Sequence, residues 1–452
     1  MTNPKTVLRK RLFAALSALY AREVPLYDKL LETVRDVNGR IAARDPAQLP
    51  PGRTVDEISA ERHGAIRLGK PDEMRDMARF FACLDMMPVN FYNLAEAGAK
   101  SQPVISTAFR PLRDADHRVF CSLLMTDSFT PAIRRRVEDA LRERRIFSRA
   151  LLRLIEASES EGGLTGGDAD VFVSEATALF AWRGTARDHG LYRALVDARF
   201  NIAADIACFP NPHLNHLTPN TLDIDELYAE MTHRLNGPYA HLPHRGMKDS
   251  IEGPPRRSAP VLLRQTAYNA LDEGVVFTEP DGSRVEATHR ARFGEIEQRG
   301  VAMTPAGRRL YDEALAEADA SGDKEHAFAR IPDDLEALRR EGLAYFRYLR
   351  VDSAASAHVP AGSLPEALAN GIVTTDPIRY EDFLPVSAAG IFAANLGQYG
   401  TRPQADKTVS YTKERLESYL ETTITEAYEL YAAEETASIR DVIDGGGRTS
   451  FP

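Results

Sequence analysis

The sequence predicts an α+β protein built on a central mixed or mainly antiparallel sheet flanked by helices. Strand-like and helix-like segments come in clusters instead of alternating singly, which argues against a wound α/β sheet. No GxGxxG follows a strand and no GxxxxGKS/T occurs, so nucleotide-binding Rossmann and P-loop sites lack support. Hydrophobic residues make up 43% and charged residues 27% of 452 positions, an ordinary globular composition.

Between Val7 and Ala43, Leu8, Leu12, Ala15, Leu16 and Leu19 fall on one helical face, and Pro50-Pro51-Gly52 ends the N-terminal helical stretch. Pro71-Asp72-Glu73 opens a second helix running through Arg79 to Met87, with acids at the positive end of its dipole. VISTAFRPL and HRVFCSLL read as strands; 132–159, 167–182 and 191–206 read as three helices parted by glycine-bearing breaks. The Pro-, Gly- and His-rich stretch 239–255 is a loop. VLLRQTAY, GVVFTE and VEATHRARFGEIEQRGVAM are strand candidates joined by a turn at Pro280-Asp281-Gly282. A helix begins at Thr304-Pro305, LAYFRYLRV and IVTTDPIRY are further strands, and 412–433 is a polar amphipathic helix before a glycine-bearing tail.

Charge and cysteine usage narrow the function. Lys+Arg 56 against Asp+Glu 66 gives −10, with no basic block to neutralise phosphates, so general nucleic-acid binding is disfavoured and a small-molecule partner expected. No apolar run approaches the roughly 20 residues that cross a bilayer, and MTNPKTVLRKRLFAAL lacks a cleavage site after its short apolar stretch. The expected location is the cytoplasm. Cys83, Cys121 and Cys208 lie far apart among apolar neighbours and are expected to be reduced and buried.

Chemistry is sought among eleven histidines, since neutral imidazole is the commonest protein ligand for a catalytic metal. His117, His189, His233, His241, His244, His326 and His358 sit in charged or loop-like settings and are expected in solvent. Four remain. His63 and Arg67 in ERHGAIRLG share a face in either a helix or a strand; alone, they read as a surface pair. His213 and His216 in FPNPHLNHLTPNTLDID are either ligands on a rigid, proline-punctuated backbone or turn residues. Beyond His289, RFGEIEQRG read as a strand is polar on both faces, so it lies at a solvent edge or lines a charged cavity, and Glu295 and Glu297 stand equal. Two imidazoles, a carboxylate and a nearby arginine are the parts of a two-His, one-carboxylate iron(II) site.

The segments ERHGAIRLG, CFPNPHLNHLTPNTLDID, IEGPPRRSAPVLLRQTAYNAL, ARFGEIEQRGVAMTPAGRRLYDE and YEDFLPVSAAGIFAANLG resemble those of the 2-oxoadipate dioxygenase/decarboxylase family, across nearly the whole chain to about Gly400. RFGEIEQR is also similar to the iron-binding FFEIIQR strand of 4-hydroxyphenylpyruvate dioxygenases. The resemblance implies a curved sheet of vicinal-oxygen-chelate type enclosing a metal, in one catalytic domain over 1–434: an N-terminal helical layer at 4–100, sheet and helices at 101–434, and a flexible tail at 435–452. It implies Fe(II) held by His63, His216 and Glu295, and selects Glu295 over Glu297. Arg67 then resembles the residue gripping the substrate's distal carboxylate, Val386 and Ser387 border the same pocket, and His213 is left supporting or structural. The implied reaction converts 2-oxoadipate and O₂ to 2-hydroxyglutarate and CO₂, with a link to lysine breakdown. Asn220 departs from the family pattern, where arginine is frequent, and the 237–250 loop looks long, which leaves the substrate preference open.

Two rivals stay open: a zinc or manganese isomerase or lyase of the same superfamily, which consumes no O₂, and a non-catalytic dicarboxylate-binding protein using Arg67 with Arg256, Arg257 and Arg264. Oxygen uptake separates the first, and binding without metal the second.

Overall fold

Two helices, α1 (Pro4–Glu23) and α2 (Tyr27–Arg44), take up the N-terminal periodicity in a computed structural model that describes residues 3–50, 53–96, 101–351, 359, 363–384 and 411–444. The Asn3 side chain caps α1 by accepting from the Lys5 N–H, and Pro4 occupies the position where a missing donor costs nothing. The chain turns between them at Leu26, whose φ of 68° no helix accommodates.

The short helix α3 (Val55–Ser59) has a full capping box between Thr54 and Glu57, and the chain then enters β1 (Glu61–Leu68). Next come α4 (Pro71–Ala82), β2 (Met87–Asn93), β3 (Val104–Arg110) and β4 (Arg118–Leu124). Because β1 and β2 both enter the main sheet, the layer expected at 4–100 is not purely helical. The three helices expected between 132 and 206 are five: α5 (Pro131–Arg142), α6 (Arg149–Glu161), α7 (Gly166–Phe180), α8 (His189–Asp197) and α9 (Asn201–Cys208). A left-handed Arg199, φ 63°, separates the last two, a break that no glycine announces. The short strand β5 (Thr185–Arg187) lies between α7 and α8.

Strand β6 (His216–Pro219) leads to α10 (Ile224–Leu235), and then to β7 (Leu263–Ala267), β8 (Glu273–Thr278), β9 (Arg284–His289) and β10 (Phe293–Arg299). The continuous strand read across 289–299 is therefore two strands in different sheets. Nor is β10 a solvent edge: it lies between β6 and β7 in a seven-stranded sheet of order β2-β3-β4-β1-β6-β10-β7, and Phe293 through Glu297 are buried. The sheet is mixed, with β1 parallel to β4 but antiparallel to β6, and β6 parallel to β10. Strands β5, β8 and β9 form a separate three-stranded sheet, and β11 (Phe346–Arg350) pairs antiparallel with β12 (Val373–Pro377). The architecture is the α+β arrangement of mixed sheet and helices that the sequence implies.

The chain divides into two compact units, Met1–Glu252 with Gln265–Gln298 and Phe383–Ile424, and Gly253–Arg264 with Arg299–Asp382 and Thr425–Pro452. The amphipathic stretch near the end splits into helices Lys413–Leu420 and Ala427–Ile443, so helix continues past the boundary drawn at 434. Cys83, Cys121 and Cys208 are free and buried as expected. No helix among the described residues is long and apolar enough to cross a membrane.

Alternation fixes which side of the sheet does what. Gly64, Ile66 and Leu68 of β1, Leu217 of β6 and Gly294 and Ile296 of β10 point to one face, where Ile66, Leu68, Leu217 and Ile296 join a core with Leu12, Leu16, Leu30 and Val34 of α1 and α2. The opposite face carries His63, Ala65 and Arg67, with His216 across from Ala65 and Phe293. Gly294 lets the helices close on the sheet: a β-carbon there would meet the Tyr268 ring and stand 2.7 Å from Leu30 Cδ2. Gly294→Val is therefore expected to cost about 1–3 kcal/mol of stability by overpacking, read as a lowered midpoint of chemical denaturation.

Candidate metal centre

Register brings the three sequence-separated ligand candidates together. His216 pairs with Ala65 of antiparallel β1 and with Phe293 of parallel β10, so His63 and Glu295 each lie two residues along a neighbouring strand on the same face. His63, His216 and Glu295 are buried and offer donor atoms that all lie within 4.8 Å of one another. His63 Nε2 is 3.5 Å from Glu295 Oε1, His216 Nε2 is 3.4 Å from Glu295 Oε2, and the two rings stand edge-on at 5.4 Å. Adjacent ligands of one ion, each at about 2.1 Å, sit about 3 Å apart, so this donor set fits a shared cation.

A supporting layer fixes each donor. Glu297 Oε2 lies 2.7 Å from His63 Nδ1, so a carboxylate stands behind the ring while Nε2 faces Glu295 at 3.5 Å. Arg118, fully buried on β4, holds the other Glu297 oxygen at 3.3 Å. The Gln265 side chain on β7 donates to Glu295 Oε1. Phe383 packs edge-on against His63 at 4.9 Å and Phe293 lies against His216 at 5.3 Å, screening the imidazoles with apolar rings. Glu295 and Glu297, indistinguishable by pattern, thus take different places: Glu295 faces both imidazoles, and Glu297 backs one of them.

The electrostatics suit a positive charge between these groups. Burial disfavours protonated His63, yet Glu297 and Glu295 outweigh it and raise its pKa above the ordinary imidazole value. Burial, then the repulsion it would meet from His63 when protonated and from Arg67, holds His216 well below that value. Glu297→Gln keeps the shape but removes the charge behind His63, and is expected to weaken metal affinity about 10- to 100-fold, measured by competition with a chelating dye.

Arg67 shares the face of His63, and its Nη1 lies 2.6 Å from Oδ2 of buried Asp205. Asp205 also draws in His213 and His289, the other two retained histidines, and these three form a second buried group of possible ligands. Asn220 sits in the core, donating its amide to the Ile58 carbonyl while its own carbonyl accepts from Asn38. Val386 and Ser387 lie outside the described residues. Sequence reasoning missed Arg118, Gln265 and Asp205. The signal for Arg118 was a lone charge opening the apolar strand RVFCSLL, and that for Asp205 a lone acid in the apolar helix NIAADIAC.

Comparison with known proteins identifies the family. Residues 12–395 match the family model described as 2-oxoadipate dioxygenase/decarboxylase. Proteins named 2-oxoadipate dioxygenase/decarboxylase are similar over nearly their whole lengths: the one from Escherichia coli is 41% identical, covering 96% of this chain and 97% of that protein, and the one from Pseudomonas putida is 39% identical, covering 96% and 95%. Among solved structures, the Pseudomonas putida hydroxyglutarate synthase in complex with 2-oxoadipate superposes with a TM-score of 0.82 at 36% identity, covering 98% of this chain and 99% of the other. The chain belongs to the 2-oxoadipate dioxygenase/decarboxylase family.

Proposed function

We propose that this chain converts 2-oxoadipate and O₂ to 2-hydroxyglutarate and CO₂, with iron(II) held by His63, His216 and Glu295. The observation that carries the reading is the convergence of two buried imidazoles and one carboxylate from three neighbouring strands. Two neutral nitrogens and one anionic oxygen are the donor set of non-haem iron(II) oxygenases, and an iron held by them would keep capacity for an α-keto acid and oxygen. Iron(II), when bound, supplies chelation of the keto acid and the electrons that activate O₂.

The chain's own residues do the rest. Gln265 and Glu297 hold the Glu295 carboxylate and the His63 ring in orientation before substrate arrives. Phe293 and Phe383 keep bulk water from the imidazoles, so charge developing at the keto acid is felt in a low-dielectric setting. Arg67, on the same face as His63, takes the distal carboxylate and so measures the chain length of the diacid. The atoms balance without a second oxo acid: the substrate's own carboxyl carbon leaves as CO₂, one oxygen atom enters the new carboxylate and the other the new hydroxyl.

Oxygen electrode traces and product analysis over a panel of 2-oxo acids test this. The expected result is one O₂ consumed and one 2-hydroxyglutarate formed per 2-oxoadipate with iron(II), and neither with a chelator present. Conversion of 2-oxoadipate without oxygen uptake would overturn it.

A further inference from the structure

We infer that Asp205 is a positioning residue for substrate recognition: from α9 it holds the Arg67 guanidinium of β1 in place through a buried carboxylate that is itself hydrogen-bonded by His289 and Asn215 and lies against His213. The inference rests on the reading of Arg67 as the clamp for the distal carboxylate, and extends it to what aims the clamp.

Four side chains converge on Asp205. Arg67 Nη1 lies 2.6 Å and Asn215 Nδ2 3.4 Å from Oδ2, while His289 Nε2 lies 3.0 Å and His213 Nε2 3.3 Å from Oδ1. The Asp205–His213–His289 group could hold a cation by ligand count, but the local chemistry says otherwise. A fixed guanidinium charge already occupies one carboxylate oxygen, and both imidazoles aim at the other at hydrogen-bond distances.

The proton positions are consistent with a hydrogen-bonded hub. The Tyr192 hydroxyl lies 3.0 Å from His289 Nδ1 and 3.5 Å from the Thr288 carbonyl, and burial raises the tyrosine pKa. With His289 Nε2 3.0 Å from a carboxylate oxygen that can only accept, the Nε2–H tautomer satisfies Asp205 and leaves Nδ1 facing the Tyr192 hydroxyl. Burial lowers the His213 pKa, and its Nε2 sits between Asp205 Oδ1 at 3.3 Å and Asn215 Nδ2 at 3.4 Å. Burial opposes ionisation of Asp205, but His213 and Arg67 outweigh it and hold its pKa well below the ordinary carboxylate range. Trp182 packs edge-on against His213 at 4.7 Å and parallel to His289 at 6.0 Å, and Phe209 closes on His289 at 4.5 Å, so neither ring can turn away. A clamp anchored this way loses little rotamer freedom when it meets a ligand.

Anaerobic calorimetric titration of iron(II)-loaded protein with 2-oxoadipate and with 2-oxohexanoate tests the inference, because the two ligands share the keto-acid end and differ at the distal carboxylate. Asp205→Asn puts an amide donor against either Arg67 or the imidazoles. It is expected to reduce the preference for the diacid by about tenfold or more, while 2-oxohexanoate affinity stays within about threefold. Tyr192→Phe, which removes one hydroxyl from the hub and keeps its volume, is expected to reduce the preference about threefold in the same direction, and it decides the matter if Asp205→Asn does not fold. Equal weakening of both ligands, or an unchanged preference, overturns the positioning role. Arg67→Met separates the two levels: if the preference survives in that variant, the clamp reading itself fails; if it is lost there but kept in Asp205→Asn and Tyr192→Phe, only the role of Asp205 fails.

Discussion

Glu295→Gln is expected to lower kcat with 2-oxoadipate by about a thousandfold or more, since the stabilisation a catalytic metal provides is several kcal/mol. Glutamine matches the shape of glutamate, so the loss comes from charge and donor chemistry. Glu295 is the acid facing both imidazole Nε2 atoms, at 3.5 and 3.4 Å, and its Oε1 also accepts from Gln265. An amide at 295 must place its NH₂ either against the Gln265 donor or toward the metal position, and neither orientation satisfies both neighbours. Oxygen uptake with saturating iron(II) checks this; a variant within tenfold of wild type would remove Glu295 from the proposed ligand set.

Arg67→Lys is expected to lower kcat/KM for 2-oxoadipate by about 10²- to 10⁴-fold, although the charge is kept. A guanidinium carries several donors in a fixed plane, so it can engage Asp205 through Nη1 and direct other N–H groups toward a ligand carboxylate. A lysine ammonium is a point charge that cannot do both in the same geometry. In a dry pocket, a diacid without its partner leaves a buried charge uncompensated, and for that reason the penalty exceeds that of an exposed ion pair. Steady-state kinetics with 2-oxoadipate and a shorter and a longer diacid check this. The expected pattern is a raised KM and a flattened preference for chain length.

The parts of this site that could be read from the sequence are those that strand periodicity dictates. His63 and Arg67, four residues apart, share a face in any regular element, and β1 is such an element. The two-sided polarity of GEIEQ left a solvent edge and a charged cavity both open, and β10 lies inside the sheet with both glutamates buried, so the edge alternative falls. Resemblance, not pattern, favoured Glu295; physically, the two acids differ through partners on other strands, His216 on β6 for one and Arg118 on β4 for the other. Such cross-strand neighbours are invisible until the strand order is known. The Asp205 hub was hidden for the same reason, since its donors come from β1, the segment before β6 and the end of β9. Helix boundaries were missed where breaks carry no glycine, as at Arg199. The helical layer drawn at 4–100 took in β1 because ERHGAIRL, whose side chains serve two different faces, has neither clean alternation nor helical periodicity.

The proposed assignment places one iron(II) on His63, His216 and Glu295 and none on the Asp205–His213–His289 group. Iron bound per chain after anaerobic reconstitution and desalting measures it directly, in the wild type and in His63→Ala, His216→Ala, Glu295→Ala, His213→Ala and His289→Ala. The expected result is one iron in the wild type, close to none in the first three variants, and one retained in the last two. Full iron in any of the first three, or its loss on removing His213 or His289, would contradict the assignment.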